Sequence, residues 1–218
     1  MKIKIMKQTP PTKHLLLSGL AIAISALNAF AQTNSALLAD NHPFSLDDHF
    51  RSGWHEGTAG AGVMFSPFTV GPGRPTVNYA FGYVQAGYML NNVGHDGFFR
   101  GNWELAPEAF GAGIWHRTGH YIAGWTLLLR YNFVPRGWRL TPFIEGGGGT
   151  VFTDISHQYD GQNFNFNLEA SGGARYFIKR NVSINAEYRY QHISNANTGS
   201  RNIGINATGP VVGVSWFF

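Results

Sequence analysis

The sequence predicts an all-β fold, an eight-stranded antiparallel transmembrane β-barrel, and three observations support this prediction. Charged residues make up only 13% of the 218 residues, which is roughly half the share found in soluble proteins. Beyond the N-terminal region, no segment has the run of about 18 apolar residues that a membrane-spanning helix requires. Segments of alternating hydrophobicity recur instead, and Gly, Pro, Asn and Asp separate them, as expected of strands joined by turns.

The alternation is clearest in residues 163–170, where Phe, Leu and Ala on one face oppose Asn and Glu on the other. Irregular alternation after Tyr83 and in the Gly-rich fifth segment suggests a β-bulge. The number of predicted strands is even, as in barrels of the bacterial outer membrane. We predict strands over residues 54–65, 77–90, 98–112, 120–133, 138–152, 163–178, 182–193 and 204–218.

The two faces of these strands predict a lipid-facing surface and a filled lumen. Aromatic and aliphatic residues would face lipid, whereas a soluble sandwich or lipocalin-like barrel would carry polar residues on its outward face. The interior of an eight-stranded barrel is just wide enough for side chains, so no pore is expected. We interpret the inward charges as a salt-bridge network and not as a glycosidase-type carboxylate pair. Those charged residues are Arg100, Glu104, Glu108, Arg130, Glu145, Glu169, Arg175, Glu187 and Arg189.

Residues 1–31 are typical of a cleaved signal peptide. Four Lys precede an apolar stretch over residues 15–27, and Ala29-Phe30-Ala31 fits the small-x-small cleavage pattern. Because this segment carries four Lys and no acid, its removal reduces the formal net charge of +4 to zero. The basic composition therefore does not indicate a nucleic-acid partner.

The expected location is the outer membrane of a Gram-negative cell. Residues 32–218 would form the barrel domain, beginning with a periplasmic lead-in over residues 32–52. Tight connections such as residues 178–181 would lie in the periplasm, and longer ones such as residues 152–163 would lie outside the cell.

Polar residues interrupt the lipid-facing parity of the last two strands. In the seventh strand His192 and Ser194 continue the apolar parity of Tyr188 and Tyr190. Asn206 shares the outward parity of the eighth strand if no bulge intervenes. Polar groups exposed to hydrocarbon are costly without partners, so their convergence suggests a functional site near the outer leaflet. The alternative is a solvated loop mouth, where such residues are ordinary.

The segment from His192 to Ala196, followed by Asn202-x-Gly204-Ile205 before an aromatic last strand, resembles the PagL family of outer-membrane lipid A 3-O-deacylases. The motif covers roughly the last quarter of the chain, and the barrel plan extends the similarity more weakly. The resemblance implies hydrolysis of the ester-linked acyl chain at the 3-position of lipid A, in lipopolysaccharide of the outer leaflet. It implies no metal and no cofactor.

Roles for individual residues follow from that resemblance. Ser194 would be the nucleophile and His192 its base. The side chain of Asn195 and the backbone N–H groups near Ala196–Asn197 would form the oxyanion hole. The remaining motif residues, Asn202 and Gly204, would support the site.

Asn206 departs from the family pattern, which has an acidic residue twelve positions after the Ser. An amide oxygen can accept the imidazole N–H, but it cannot stabilise imidazolium by charge. No acidic residue follows Glu187 in the sequence. The sequence leaves two interpretations: a Ser-His-Asn variant triad that works more slowly, or a site that has lost esterase activity.

Two other functions stay open at this point. One is a non-catalytic small outer-membrane barrel with a structural or surface-binding role. The other is a phospholipase or acyltransferase on the same scaffold. The sequence does not indicate the oligomeric state.

Overall fold

A computed structural model describes residues 45–66, 76–116, 118–155, 159 and 161–218. In these residues eight antiparallel strands form a closed barrel, each paired with its neighbours in chain order, so the predicted fold class is confirmed. The predicted signal peptide, residues 1–31, and the first part of the lead-in, residues 32–44, lie outside the described residues. The strands are β1 (His55–Met64), β2 (Asn78–Met89), β3 (Gly101–His116), β4 (Tyr121–Phe133), β5 (Leu140–Thr153), β6 (Phe164–Lys179), β7 (Val182–Ser194) and β8 (Ile205–Phe217).

Seven strands begin and end within two residues of their predicted limits, and β3 is displaced. It begins later than predicted because residues 97–99 form a 3₁₀ turn after the positive φ angle of His95. It ends later because it pairs with β2 as far as His116, across a register shift at Asn78 and Tyr79. The bulge suggested for the fifth strand is absent, since β5 pairs residue for residue with both neighbours.

The connections lie at two mouths of the barrel. At the terminal mouth, where β1 begins and β8 ends, residues 90–100, 134–139 and 180–181 join the strands. The other end, the loop mouth, is where β5 is joined to β6 and β7 is joined to β8. The predicted alternation of short and long connections is wrong in part. Residues 90–100 form a longer connection than residues 117–120 at the loop mouth, because the former accommodate the 3₁₀ turn.

The outward surface is apolar around the barrel. Large side chains stand exposed at alternate positions of each long strand, among them Trp125, Leu127 and Leu129 on β4 and Ile184 and Tyr188 on β7. Water-soluble proteins rarely expose continuous apolar patches of this extent. This surface is the lipid-facing belt of a transmembrane barrel. No helix among the described residues is long and apolar enough to cross a membrane.

Three guanidiniums fill the middle of the lumen: Arg130, Arg175 and Arg189, all buried. The Nη2 atom of Arg175 lies 2.6 Å from Glu56 and 3.2 Å from Glu104. Such pairs offset the cost of burying the charges only when geometry and additional hydrogen bonds are good. Serine, threonine and amide side chains donate those additional bonds to the carboxylates. The buried carboxylates paired with the three guanidiniums are Glu56, Glu104, Glu108, Glu145, Glu169 and Glu187.

The predicted internal network is therefore confirmed, with two differences. Glu56, which was not among the predicted members, contacts both Arg130 and Arg175. Arg100 is buried, but it lies at the terminal mouth and pairs with Asp47 at 2.6 Å.

Toward the loop mouth a layer of apolar side chains shares the lumen with the buried amides of Asn165, Asn167 and Gln191. The expectation that polar residues fill the lumen throughout is therefore corrected. Tyr79, Phe81 and Tyr83 of β2 point inward and are buried. From Tyr83 toward the terminal mouth, Gln85 and Gly87 occupy the next inward positions of β2, while the outward positions remain apolar. This change explains the irregular alternation after Tyr83 without any bulge at that point. The buried residues of the layer are Met64, Val77, Tyr79, Phe81, Tyr83, Phe110, Ile114, Ile122, Val151, Ile155, Ile193, Ile205, Ala207 and Val211.

The described part of the lead-in covers the terminal mouth. Phe50 is fully buried and meets the rings of Phe177 and Phe217 edge-on. Leu46 is buried in the same cluster. His49 packs beside these rings, and burial lowers the pKa of its imidazole. Both ends of the lumen are thus closed by apolar packing around a charged centre.

We predict that Arg175→Met strongly destabilises the barrel. The substitution leaves Glu56 and Glu104 with less compensation in a buried site, and losing one partner of a buried ion pair costs about 3–5 kcal/mol. The urea midpoint of the folded barrel in detergent, read from the gel shift between folded and unfolded forms, measures the effect. Arg136→Met is the control, because Arg136 and Asp96 form an exposed pair at 3.3 Å. Equal midpoints for the two variants would contradict the prediction.

Candidate active site

The pairing of β7 with β8 brings the predicted site residues together. The two strands pair without a register shift from Ile193 opposite Ile205 to Val182 opposite Trp216. No bulge intervenes, so His192 lies directly opposite Asn206 on the outward face. Ile193 and Ile205 point the other way and are buried in the apolar layer of the lumen. This inward pair anchors the end of the hairpin and thereby fixes the outward residues.

Ser194, His192 and Asn206 form a continuous hydrogen-bonded chain. The Nδ1 atom of His192 lies 2.6 Å from Oδ1 of Asn206, and its Nε2 atom lies 3.1 Å from Oγ of Ser194. An amide oxygen only accepts, so Nδ1 carries the proton and Nε2 is free to accept one. That is the tautomer a general base needs next to a serine. All three residues are half-buried.

Tyr190, predicted from the sequence only as a lipid-facing aromatic residue, is a fourth member of this arrangement. Its hydroxyl donates to Oδ1 of Asn206 at 2.8 Å. In the β7–β8 pairing Tyr190 stands diagonally across from Asn206, within reach of a long aromatic side chain. The sequence signal was that Tyr190 lies two residues before His192 and therefore shares its face of β7. The contact between Tyr190 and Asn206 depends on the register of β8, which the sequence does not specify.

Gly204 lies against the imidazole. Its φ angle is +68°, a backbone conformation that residues other than glycine adopt at an energetic cost. A Cβ at this position would lie 3.2 Å from Cε1 of His192 and 3.4 Å from the carbonyl oxygen of Ile193. The predicted supporting residue thus allows both the backbone turn and the position of the imidazole.

After Ser194 the chain enters a type I′ turn over residues 195–198. Ala196 and Asn197 have φ angles of 52° and 63°, and the N–H of Thr198 donates to the carbonyl of Asn195 at 3.0 Å. A left-handed conformation is unfavourable for alanine. The strained backbone therefore lies two residues from Ser194. Backbone strain of this kind is often found at functional sites.

Asn202, which lies near the β8 end of the connection, stabilises this turn by hydrogen bonds. Its Oδ1 accepts the N–H of Asn195 at 3.2 Å, and its Nδ2 donates to Oδ1 of Asn197 at 3.0 Å. One side chain thus holds both ends of the strained segment. Each polar atom of the Asn202 side chain therefore makes a hydrogen bond within the connection.

The oxyanion donors expected from the sequence are engaged within the connection. Nδ2 of Asn195 donates to the carbonyl of Arg201 at 2.5 Å, and the side chain is buried. Its Oδ1 accepts the N–H of Asn197 at 2.9 Å. The expected roles of Asn195 and of the Asn197 N–H are therefore not matched by the geometry. Within the described residues, the N–H of Ala196 and Nδ2 of Asn197 donate to no acceptor.

In the part of the chain that the structure describes, no carboxylate contacts His192. Glu187, the last acidic residue of the chain, points into the lumen and pairs with Arg189 at 2.8 Å. It lies on the opposite face of β7 from His192 and cannot replace Asn206. In the described ranges, no three His, Asp or Glu side chains are arranged to hold a metal ion.

Fold and site together define a transmembrane eight-stranded barrel with a hydrogen-bonded Ser, His and Asn on its outward surface. The chain belongs to the lipid A 3-O-deacylase (PagL) family, whose family model matches residues 82–215. The match includes the whole of β7, β8 as far as Ser215, and every residue of the site. The family expected from the motif is thereby confirmed.

Solved structures share the fold at low sequence identity. The crystal structure of the outer membrane enzyme PagL has 17% identity and a TM-score of 0.53, covering 72% of this chain and 97% of that one. Neisserial surface protein A (NspA) has 15% identity and a TM-score of 0.52, covering 77% and 98%. At these identities the likeness supports the barrel alone. A comparison with curated protein sequences found no significant match.

We predict that Gly204→Ala destabilises the protein and displaces His192. The left-handed conformation costs a residue with a Cβ about 1–2 kcal/mol, and the new Cβ presses on the imidazole and on the carbonyl of Ile193. Gly172→Ala is the matched control, because a Cβ there meets nothing closer than 3.9 Å. Urea midpoints of the two variants measure the difference. A midpoint for Gly204→Ala as high as that for Gly172→Ala would refute this account of the glycine.

Proposed function

We propose that this protein is a serine esterase of the outer membrane that hydrolyses the ester-linked acyl chain at the 3-position of lipid A. The observation that carries the proposal is the hydrogen-bonded chain of Ser194, His192 and Asn206 on the outward face. Family membership supplies the substrate class. Residues 1–31 would be the signal peptide that directs export.

In the proposed reaction Oγ of Ser194 attacks the ester carbonyl carbon while Nε2 of His192 takes the hydroxyl proton. The resulting tetrahedral intermediate breaks its bond to the sugar oxygen, and His192 returns the proton to that oxygen. Water then attacks the acyl-enzyme with His192 again as base, which releases the fatty acid and restores Ser194. Throughout, Oδ1 of Asn206 accepts from Nδ1 and holds the imidazole in place.

For the oxyanion we propose the donors that the turn leaves open, the N–H of Ala196 and Nδ2 of Asn197. Preorganised donors aimed at developing negative charge are commonly the largest contribution to such reactions. In this proposal Asn195 and Asn202 act by holding the type I′ turn in shape. The strain at Ala196 would then keep its N–H directed at the reacting carbonyl.

The surroundings of the site suit an acyl chain that approaches from the membrane. On β6, Phe166 lies opposite Ser194 and Leu168 lies opposite His192, and both side chains are exposed on the outward face. The lumen behind the site is packed, so the substrate would arrive laterally through lipid. We infer that the loop mouth faces outward from the cell, which puts the site in the outer leaflet beside lipopolysaccharide.

We predict that Ser194→Ala abolishes deacylation and leaves the barrel folded. The hydroxyl is the proposed nucleophile and makes no contact that holds the strands together. Mass spectrometry of lipid A, after incubation with refolded protein, would show loss of one hydroxyacyl chain with wild type only. The gel shift of the folded form is the control for folding.

Other outcomes of that experiment separate the alternatives. Intact lipid A with both proteins would contradict the proposed activity and favour a non-catalytic barrel. Equal product from wild type and Ser194→Ala would contradict the assignment of the nucleophile. Phospholipid vesicles assayed in parallel test for a phospholipase, and gain of mass by an acceptor lipid identifies an acyltransferase.

We predict that Asn206→Asp raises kcat by at least about tenfold. The carboxylate occupies the same position and stabilises the imidazolium by charge, which an amide cannot do. The variant Asn206→Leu, of similar size, should lower kcat because it leaves Nδ1 without an acceptor. Initial rates of fatty acid release under saturating substrate measure both variants. A kcat of Asn206→Asp equal to or below wild type would mean that charge at this position does not limit the reaction.

A further inference from the structure

We propose that Tyr190 is a positioning residue, which holds the Asn206 amide with its oxygen toward His192 and so keeps Nε2 available to Ser194. The effect on the imidazole tautomer is independent of the substrate, whereas the effect on rate rests on the proposed function. Nothing in the family motif, which begins at His192, includes this residue.

Two donors converge on one oxygen. Oδ1 of Asn206 accepts from Nδ1 of His192 at 2.6 Å and from the Tyr190 hydroxyl at 2.8 Å. A carbonyl oxygen has two lone pairs, so these bonds use its full capacity. Hydrocarbon offers a tyrosine hydroxyl no hydrogen-bond partner, so a protein acceptor within reach is favoured. Asn206 is the partner that the β7–β8 register provides.

An amide in this position needs an orienting group because its two ends differ. If the amide turned over, Nδ2 would face the imidazole and Nδ1 would have to accept. The imidazole proton would then sit on Nε2 and point at Ser194, which removes the base. In serine proteases, the same acid-to-amide change lowers kcat by about 10⁴ through the wrong tautomer. A carboxylate has two equivalent oxygens and no wrong orientation.

A phenol favours the productive orientation. Its oxygen lone pair is delocalised into the ring, so the hydroxyl is a better donor than acceptor, and it bonds more strongly to Oδ1 than to Nδ2. The low dielectric of the lipid-facing surface strengthens this preference. Tyr190 therefore compensates in part for the missing carboxylate, by selecting an orientation and not by adding charge.

Tyr188 is a matched control. It lies two residues earlier on the same face of β7 and is exposed to 60%, against 43% for Tyr190. Its hydroxyl makes no hydrogen bond to any residue that the structure describes. Tyr→Phe at either position removes one hydroxyl and keeps the ring, so packing and membrane anchoring stay the same.

The first test is kinetic. We expect Tyr190→Phe to lower kcat about tenfold, the effect of one hydrogen bond, with KM unchanged, and Tyr188→Phe to leave both at the wild-type values. In the Asn206→Asp background the cost of Tyr190→Phe should fall below about threefold, because a carboxylate needs no orienting group. Equal losses in both backgrounds, or a loss that appears only in KM, would overturn the inference.

The second test does not depend on activity. In detergent micelles with ¹⁵N-labelled histidine, the His192 signals are assigned by their loss in His192→Gln. Wild type and Tyr188→Phe should show a protonated Nδ1 and a bare Nε2, and Tyr190→Phe should populate the Nε2–H tautomer. That shift without any lipid A hydrolysis would support the positioning role and refute the proposed function. An unchanged tautomer in Tyr190→Phe would overturn the positioning role itself.

Discussion

The guanidinium–carboxylate network in the middle of the lumen is the interaction on which the rest of the structure depends. Arg130, Arg175 and Arg189 each contact two or more buried carboxylates, and apolar layers close the lumen above and below them. A barrel of this size has space for side chains only. Chemistry on a lipid substrate therefore has to take place on the outward surface, where acyl chains reach the protein directly.

The register of the last hairpin then decides which chemistry that surface can carry. Pairing without a shift puts His192 beside Asn206 and brings Tyr190 within reach of the same amide oxygen. A shift of one residue in β8 would turn Asn206 into the lumen. The inward Ile193 and Ile205 pair holds that register from the other side of the sheet, so the packed lumen also orients the proposed site.

Much of this could be predicted from sequence because strand parity has a period of two. The outward parity of His192, Ser194 and Asn206 and the inward charges followed from it. The apolar upper lumen could not be recognised, because Tyr79, Phe81 and Tyr83 look like lipid-facing residues when both faces are apolar. The positioning contact of Tyr190 depends on pairing between strands, and the engagement of Asn195 within its own connection depends on a left-handed turn at Ala196. Parity along one strand specifies neither.

The most direct test of the central proposal, that His192 activates Ser194 on the lipid side of the barrel, is covalent labelling. A long-chain alkyl fluorophosphonate reacts with an activated serine by forming an Oγ–P bond and releasing fluoride. Peptide mass spectrometry of protein labelled in micelles should locate the adduct on Ser194 in wild type and find almost none in His192→Gln. Labelling of Ser194 at the same rate in both proteins, or of other serines equally, would contradict the proposal.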